Sequence, residues 1–323
     1  MGSNETRGHP IINFSDKNMK PGTEIWRWTR ERVRDAMERH GWFVADWDNF
    51  PVDLHRGIIS AAEELLALPS EVKIQNGNHK ARHGYVTMLA DDQPVHEGLG
   101  IDLVTDFEQC RKFAGLMWPD HGNDRFCETV HAYARMQAEL EQMVVRMLFE
   151  SYGLDRYSDK HIGDTRYLLR LLKYTRLPNG DPNRKFISHT DKSFISILHQ
   201  NDVKGLSLKS EEEDVWYPFS PSPTRFVVIA GDAIMAWSND KIQACYHKVE
   251  MDSEITRYSL GFFSFQNGTI STPDELVDDQ HPLAYRPFSH DGLLKFYETL
   301  GAHLKAHRTM TKAYCGIETA PSG

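Results

Sequence analysis

The chain has 323 residues, of which 40% are hydrophobic and 26% charged, and a formal net charge of −9. That composition is ordinary for a globular protein long enough to bury a sizeable core. The acidic balance argues against nucleic acid or an anionic membrane as the main partner, and no apolar run approaches the length of a membrane span.

The polar opening Met1-Gly-Ser-Asn-Glu-Thr-Arg-Gly8 lacks the apolar stretch of a signal peptide. Cys110, Cys127, Cys245 and Cys315 are too scattered for a disulfide framework or a Cys-x-x-Cys metal site. The expectation is a monomeric cytoplasmic protein in a reducing compartment, acting on a small molecule.

In chain order, a short strand is predicted over Ile11 to Phe14, then an amphipathic helix from Thr23 to His40 ended by Gly41. Trp42 to Ala45 reads as a short buried strand, and Pro51 to Leu68 as a helix stopped by Pro69. Asn76 to His83 is polar and turn-rich, the pattern of a mobile loop. The longest helix is predicted over Asp124 to Gly153, with Phe126, Val130, Tyr133, Met136, Leu140, Met143, Val144 and Met147 on a core-facing stripe.

From Tyr167 onward the pattern changes to short β runs: Tyr167 to Tyr174, Phe194 to His199, Val215 to Phe219, Phe226 to Ala230, Ile234 to Trp237, Gln243 to Val249 and Arg257 to Phe265. Turn signals separate them, at Leu177 to Pro182, Gly231-Asp232, Ser238 to Asp240 and Gln266 to Gly268. The acidic run Glu211 to Asp214 reads as a solvated hairpin turn. Such punctuation predicts a mainly β protein with flanking α: a double-stranded β-helix (jelly-roll) core. Residues 1–160 form a mainly helical support region of the same unit; residues 161–323 form the jelly roll, with a helical tail from Leu293 to Cys315.

The chemistry begins at Phe186-Ile-Ser-His-Thr-Asp-Lys-Ser-Phe194. On a strand, His189 and Asp191 would face the same way, so an imidazole and a carboxylate could grip one side of a metal. His247, 56 residues beyond Asp191, would complete a 2-His-1-carboxylate site, the arrangement that leaves positions open on Fe(II) for oxygen chemistry. Zinc accepts the same ligands. Ten residues after His247, Arg257-Tyr-Ser259 pairs a guanidinium and a hydroxyl on one strand face, a site for a carboxylate. A buried arginine needs such a partner, and no acid lies nearby on that face. A small dicarboxylate held between metal and Arg257 would satisfy the set, and a zinc hydrolase would not need it. Cys245, two residues before His247, is either a thiol near the metal or a small apolar filler. Lys192 points to the opposite strand face by alternation and reads as structural or as a rim charge.

The ordered series His-x-Asp, His, Arg-x-Ser resembles the plant 2-oxoglutarate/Fe(II)-dependent dioxygenases. Gly231-Asp232, Trp237-Ser-Asn-Asp240, Pro10-Ile-Ile-Asn-Phe14, His40-Gly-Trp-Phe43 and Leu68-Pro-Ser-Glu-Val-Lys73 follow that family's pattern. Arg170-Leu-Leu-Lys-Tyr174 and Pro273-Asp-Glu-Leu-Val-Asp278 resemble its AOP-like and deoxypodophyllotoxin synthase-like branch. Two departures lie outside the metal and co-substrate residues: Val44-Ala-Asp-Trp-Asp-Asn49 replaces the usual Asn-His-Gly, and Asn13 replaces an aspartate.

The resemblance implies Fe(II) on His189, Asp191 and His247, with 2-oxoglutarate and O₂ as co-substrates. Arg257, Ser259 and Tyr174 would hold the 2-oxoglutarate. The substrate would be a small, largely apolar plant specialised metabolite, undergoing hydroxylation, desaturation or ring closure with release of succinate and CO₂. Tyr85, His96, Phe194, Phe263 and Phe265 are the candidate substrate wall. The alternatives are a same-fold iron oxidase that does not use 2-oxoglutarate, and a catalytically silent small-molecule binding protein.

Overall fold

The structure is a computed structural model and describes residues 10–77, 83–90, 93–175, 188–251, 255–300 and 309–317. Strand β1 (Ile11–Asn13) leads to helix α1 (Glu24–His40) and strand β2 (Trp42–Asp46). The Thr23 hydroxyl accepts a hydrogen bond from the Trp26 amide and caps the start of α1. Gly41, at φ 75°, supplies the left-handed residue that closes it. Helices α2 (Val52–Leu66) and α3 (Ser70–Lys73) follow, then strands β3 (Val86–Ala90) and β4 (Gln93–Asp102) and helices α4 (Phe107–Met117), α5 (Asp124–Ser151) and α6 (Asp155–Gly163).

The second half runs through strands β5 (Thr165–Tyr174), β6 (Ile195–Gln200), β7 (Leu206–Ser210), β8 (Val215–Pro218) and β9 (Arg225–Ala230), and helix α7 (Asp232–Trp237). Strands β10 (His247–Val249), β11 (Arg257–Gln266), β12 (Thr269–Ile270) and β13 (Phe288–Ser289) come next, then helices α8 (His290–Thr299) and α9 (Thr309–Cys315).

Eight strands form one large sheet in the order β1-β2-β9-β6-β11-β5-β4-β3, and β10-β7-β8 form a small one. Side-chain alternation gives the large sheet two different faces. Phe43, Leu99, Leu169, Leu171, Ile197, Val228, Leu260 and Phe262 point one way and join the main core with residues of α1, α2, α4 and α5. Trp42, Val44, Leu198, Val227 and Ile229 point the other way and pack on Leu206 and Leu208 of the small sheet. Two sheets packed face to face, with helices on the outer face of the larger, make a jelly-roll core with flanking helices.

Several expectations shift. Ile234 to Trp237 is helical rather than a strand, because Asp232 sits in the first turn and Ser238 N donates to Ile234 O at 2.8 Å. A four-residue apolar run is ambiguous between a buried strand and a buried helix. Of Gln243 to Val249 only the last three residues pair as a strand. The segment 1–160 supplies four strands to the large sheet, and residue 160 falls inside α6. The sequence reading missed β4, whose Pro94, Gly98 and Gly100 are poor strand formers. Most of the predicted 76–83 loop, the 177–182 turn and the middle of the helical tail lie outside the described residues.

Candidate active site

His189 is not on a regular strand. It forms an isolated antiparallel bridge with His247, whose amide donates to His189 O at 3.0 Å while His189 N donates back to His247 O at 3.1 Å. This bridge sets the rings 4.4 Å apart, centroid to centroid. Asp191, two residues on, brings its Oδ1 to 3.8 Å from Nε2 of each histidine.

The loop carrying Asp191 is clamped from behind by the start of α7. The amides of Gly231, Asp232 and Ala233 donate to the carbonyls of Phe194, Asp191 and Ser193. Gly231 is required there, since a Cβ would lie 2.0 Å from Ser193 O. Lys192 donates to Asp232 Oδ2 at 2.5 Å and to Thr190 Oγ1 at 3.0 Å, and Thr311 of α9 donates to the same Asp232 oxygen at 2.9 Å. His290 Nδ1 accepts from Gln266 N, so its Nε2–H donates to Lys192 O at 2.7 Å. Lys192 is therefore no rim charge. Its side chain is only 7% exposed and forms a buried ion pair on the cavity wall. Strand alternation does not set its direction, because residues 190–193 are not in a strand.

Burial pushes the Asp191 carboxyl up, but the neighbouring charges of His247 and His189, a hydrogen bond from Ser196 and the charge of Lys192 outweigh it and hold the group below its usual range. His247 Nδ1 lies 3.4 Å from Cys245 O, which leaves its Nε2 turned toward Asp191. The three candidate ligand atoms lie within 4.8 Å of one another, and Asp191 Oδ2 is buried without a hydrogen-bond partner among the described residues. Two imidazole nitrogens and a carboxylate oxygen, with one oxygen left unsatisfied by protein, fit a divalent iron. Cys245 plays no part in this. It is fully buried, its Sγ faces Lys209 O and Tyr246 O, and burial raises its thiol well above the ordinary range.

A cavity of about 390 Å³ opens beside the triad, walled by both sheets and by α8. Arg257 and Ser259 lie on its floor, side by side on β11. Arg257 is 1% exposed, and burial lowers its pKa. Its Nη2 donates to Gln200 Oε1 at 2.6 Å and to Ser259 Oγ at 3.3 Å, and its guanidinium carbon sits 5.0 Å over the Tyr174 ring. Nε and Nη1 are buried without a hydrogen-bond partner among the described residues. The partner that sequence reasoning missed is Gln200, which alternation along β6 places on the cavity face with Leu198.

Of the five residues expected on the substrate wall, His96, Phe263 and Phe265 line the cavity, with His96 stacked on Tyr174 at 4.5 Å. The other two lie elsewhere. Phe194 is fully buried between His161 and Trp237, because the chain turns inward directly after the metal loop. Tyr85 donates to Glu97 Oε1 at 2.8 Å and lies under Lys73, in a buried ionic cluster outside the cavity. Wall residues not anticipated include His83, Thr87, Met88, Arg170, Leu294 and Tyr297.

The site and the fold together define the 2-oxoglutarate/Fe(II)-dependent dioxygenases, and the chain belongs to that family. Residues 165–266 match the 2OG-Fe(II) oxygenase superfamily. The chain is 39% identical over 297 residues to the probable 2-oxoglutarate-dependent dioxygenase AOP1.2 of Arabidopsis thaliana, covering 90% of this chain and 91% of that protein. It is 28% identical to the 2-oxoglutarate-dependent dioxygenase AOP3 of the same plant, over 95% of this chain and 97% of the relative. Among solved structures it resembles the rice dioxygenase for auxin oxidation, with a TM-score of 0.77 and 25% identity over 95% of this chain and all of the other. The JOX2 complex with 2OG, Fe and JA shares the fold, with a TM-score of 0.74 and 22% identity over 95% of this chain and 89% of that one. The sequence reading thus named the right family and the AOP-like branch. Iron and 2-oxoglutarate are the cofactor and co-substrate, and no described helix is long and apolar enough to cross a membrane.

Proposed function

We propose that the protein oxidises a small, largely apolar plant specialised metabolite at a C–H bond, by hydroxylation, desaturation or ring closure. His189, Asp191 and His247 hold the iron. Arg257 and Ser259 bind the far carboxylate of 2-oxoglutarate beside Tyr174. Iron and 2-oxoglutarate bound there supply the O₂-driven oxidation, coupled to release of succinate and CO₂.

The observation that carries this reading is the Arg257 guanidinium. It is buried on the same cavity as the triad, with two nitrogens that no described protein group satisfies. A buried guanidinium left in that state is costly, and a carboxylate from outside removes the cost. Gln200 and the Tyr174 ring fix the plane of the guanidinium before the ligand arrives. Apolar side chains such as Leu168, Leu172 and Phe263 keep water away from the reacting carbon and position it.

The test is an anaerobic titration with Fe(II) and 2-oxoglutarate, whose chelate has a weak visible charge-transfer band. A screen of plant metabolites should follow, scored by succinate release and by product mass. Oxygen uptake on the true substrate that needs no 2-oxoglutarate would sink the reading.

A further inference from the structure

Away from Arg257, the cavity wall carries an imidazole that neither the metal site nor the 2-oxoglutarate site uses. His83 precedes β3, borders the cavity and is 1% exposed. β4 makes room for it at Gly100: a Cβ there would lie 2.1 Å from His83 O, so glycine is what lets the chain at His83 lie against the sheet. Gly100 pairs with Arg170 of β5, and Arg257 pairs with Tyr174 of the same strand. These two rows lie roughly 13 Å apart at the usual rise per residue. The His83 ring is 5.4 Å from that of Phe265, at the opposite end of β11 from Arg257. His83 therefore addresses a part of the cavity remote from the 2-oxoglutarate carboxylate.

Both ring nitrogens of His83 are buried, and neither makes a hydrogen bond to a described residue. Asp102 of β4 brings its Oδ2 to 3.5 Å from Nδ1, an ion-pair distance without hydrogen-bond geometry. A carboxylate on that side favours the tautomer with its proton on Nδ1. In the neutral ring Nε2 is then a bare acceptor, for which no described residue supplies a donor. A buried acceptor in that state is costly, and a donor entering from the cavity removes the cost. The surrounding wall is apolar: Leu168, Phe263, Phe265 and Leu294 pack together and all four line the cavity.

We infer that His83 is a specificity-determining residue that accepts a hydrogen bond from a hydroxyl group of the substrate. The substrate class is then a small phenol or alcohol with an apolar body. The hydroxyl sits on Nε2 and the body lies against Leu168, Phe263 and Leu294, with the target carbon toward His189, Asp191 and His247. This rests on the dioxygenase reading of the site and narrows it.

The experiment measures anaerobic binding of matched hydroxyl and methyl ether pairs to the protein loaded with Fe(II) and saturating 2-oxoglutarate. The probes 4-propylphenol, 2-naphthol and 3-phenylpropan-1-ol are each compared with their methyl ethers, by calorimetry and by perturbation of the chelate band. At least one hydroxyl compound should bind about tenfold or more tightly than its ether, because the ether leaves Nε2 buried and unpaired. His83→Phe keeps a ring without nitrogens and should bring that ratio to one or below; where it does not fold, His83→Leu carries the same expectation. His83→Gln, which keeps an acceptor at a similar reach, should retain part of the preference. The 2-oxoglutarate titration should be unchanged in each, which a general folding defect would not allow. Equal binding of hydroxyl compounds and ethers, no binding by any hydroxyl compound, or a preference that survives in His83→Phe or His83→Leu overturns the inference. Loss of the chelate band on adding a hydroxyl probe also overturns it, since the probe would then be displacing 2-oxoglutarate. A wild-type protein that forms no chelate band fails the dioxygenase reading first, and this one with it.

Discussion

Arg257→Ala tests the co-substrate site most directly. The substitution removes the two buried guanidinium nitrogens proposed to hold the 2-oxoglutarate carboxylate, Nε and Nη1, and the Nη2 contacts to Gln200 and Ser259 that orient them. Hydrogen bonds to charged groups are each worth about 1.5–3 kcal/mol, so losing two weakens 2-oxoglutarate binding roughly a hundredfold or more. The free protein changes less. Truncation opens a cavity but also removes a buried charge lacking its full set of partners, and these effects oppose each other. At 2-oxoglutarate a hundred times the wild-type Kd, the ligand stabilises the wild type by about 2.7 kcal/mol, and a hundredfold weaker variant by only about 0.4 kcal/mol. Thermal unfolding of the Fe(II)-loaded protein with and without 2-oxoglutarate, beside an anaerobic chelate-band titration, measures both numbers. A variant with wild-type 2-oxoglutarate affinity would refute the assignment.

His189→Ala should abolish turnover and weaken Fe(II) binding while leaving the fold intact, because the ring is part-exposed to the cavity rather than packed in the core; full turnover in the variant would remove it from the metal site. Lys192→Met should cost about 3–5 kcal/mol of stability, the usual penalty for stranding one partner of a buried ion pair, here the fully buried Asp232. Denaturant unfolding reads this, and a loss below about 1 kcal/mol would contradict the clamp, since that is the range of exposed pairs. Two buried histidines should steepen acid unfolding. Burial lowers His290 to about 4, against the raising effect of the Lys192 carbonyl, and burial with the charge of His55 lowers His199 to about 3. As pH falls below about 6.5 the unfolded chain takes up protons that the folded protein refuses, so stability is lost between there and the folded values. Unfolding free energies from pH 7.5 to 4 should fall less steeply in His290→Gln, and an unchanged slope would count against this account.

Much of the site was legible in the linear sequence because its chemistry is carried by residue types at ordered spacings. A His-x-Asp, a later His and an Arg-x-Ser restrict the chemistry before any coordinates exist, and the strand alternation of β11 correctly puts Arg257 and Ser259 on one face. The long α5 and the β-rich second half were equally plain, since periodicity and turn residues are local signals. What failed were features that no local signal records. β4 was invisible because its glycines serve packing against Arg170 and His83 rather than strand propensity. Phe194 and Tyr85 looked like wall residues and went into the core and an ionic cluster, whereas Leu294 and Tyr297 reach the cavity from a helix some hundred residues beyond the metal loop.

The sequence alone therefore determined the reaction class, because metal ligation and carboxylate binding need particular functional groups that few alternatives can supply. Tertiary structure decided which apolar and basic side chains line the cavity, how α7, α8 and α9 clamp the loop carrying Asp191, and that Lys192 is buried. Those outcomes depend on which face of each element meets another. That is fixed by packing between segments far apart in the chain, and no short window of residues contains it.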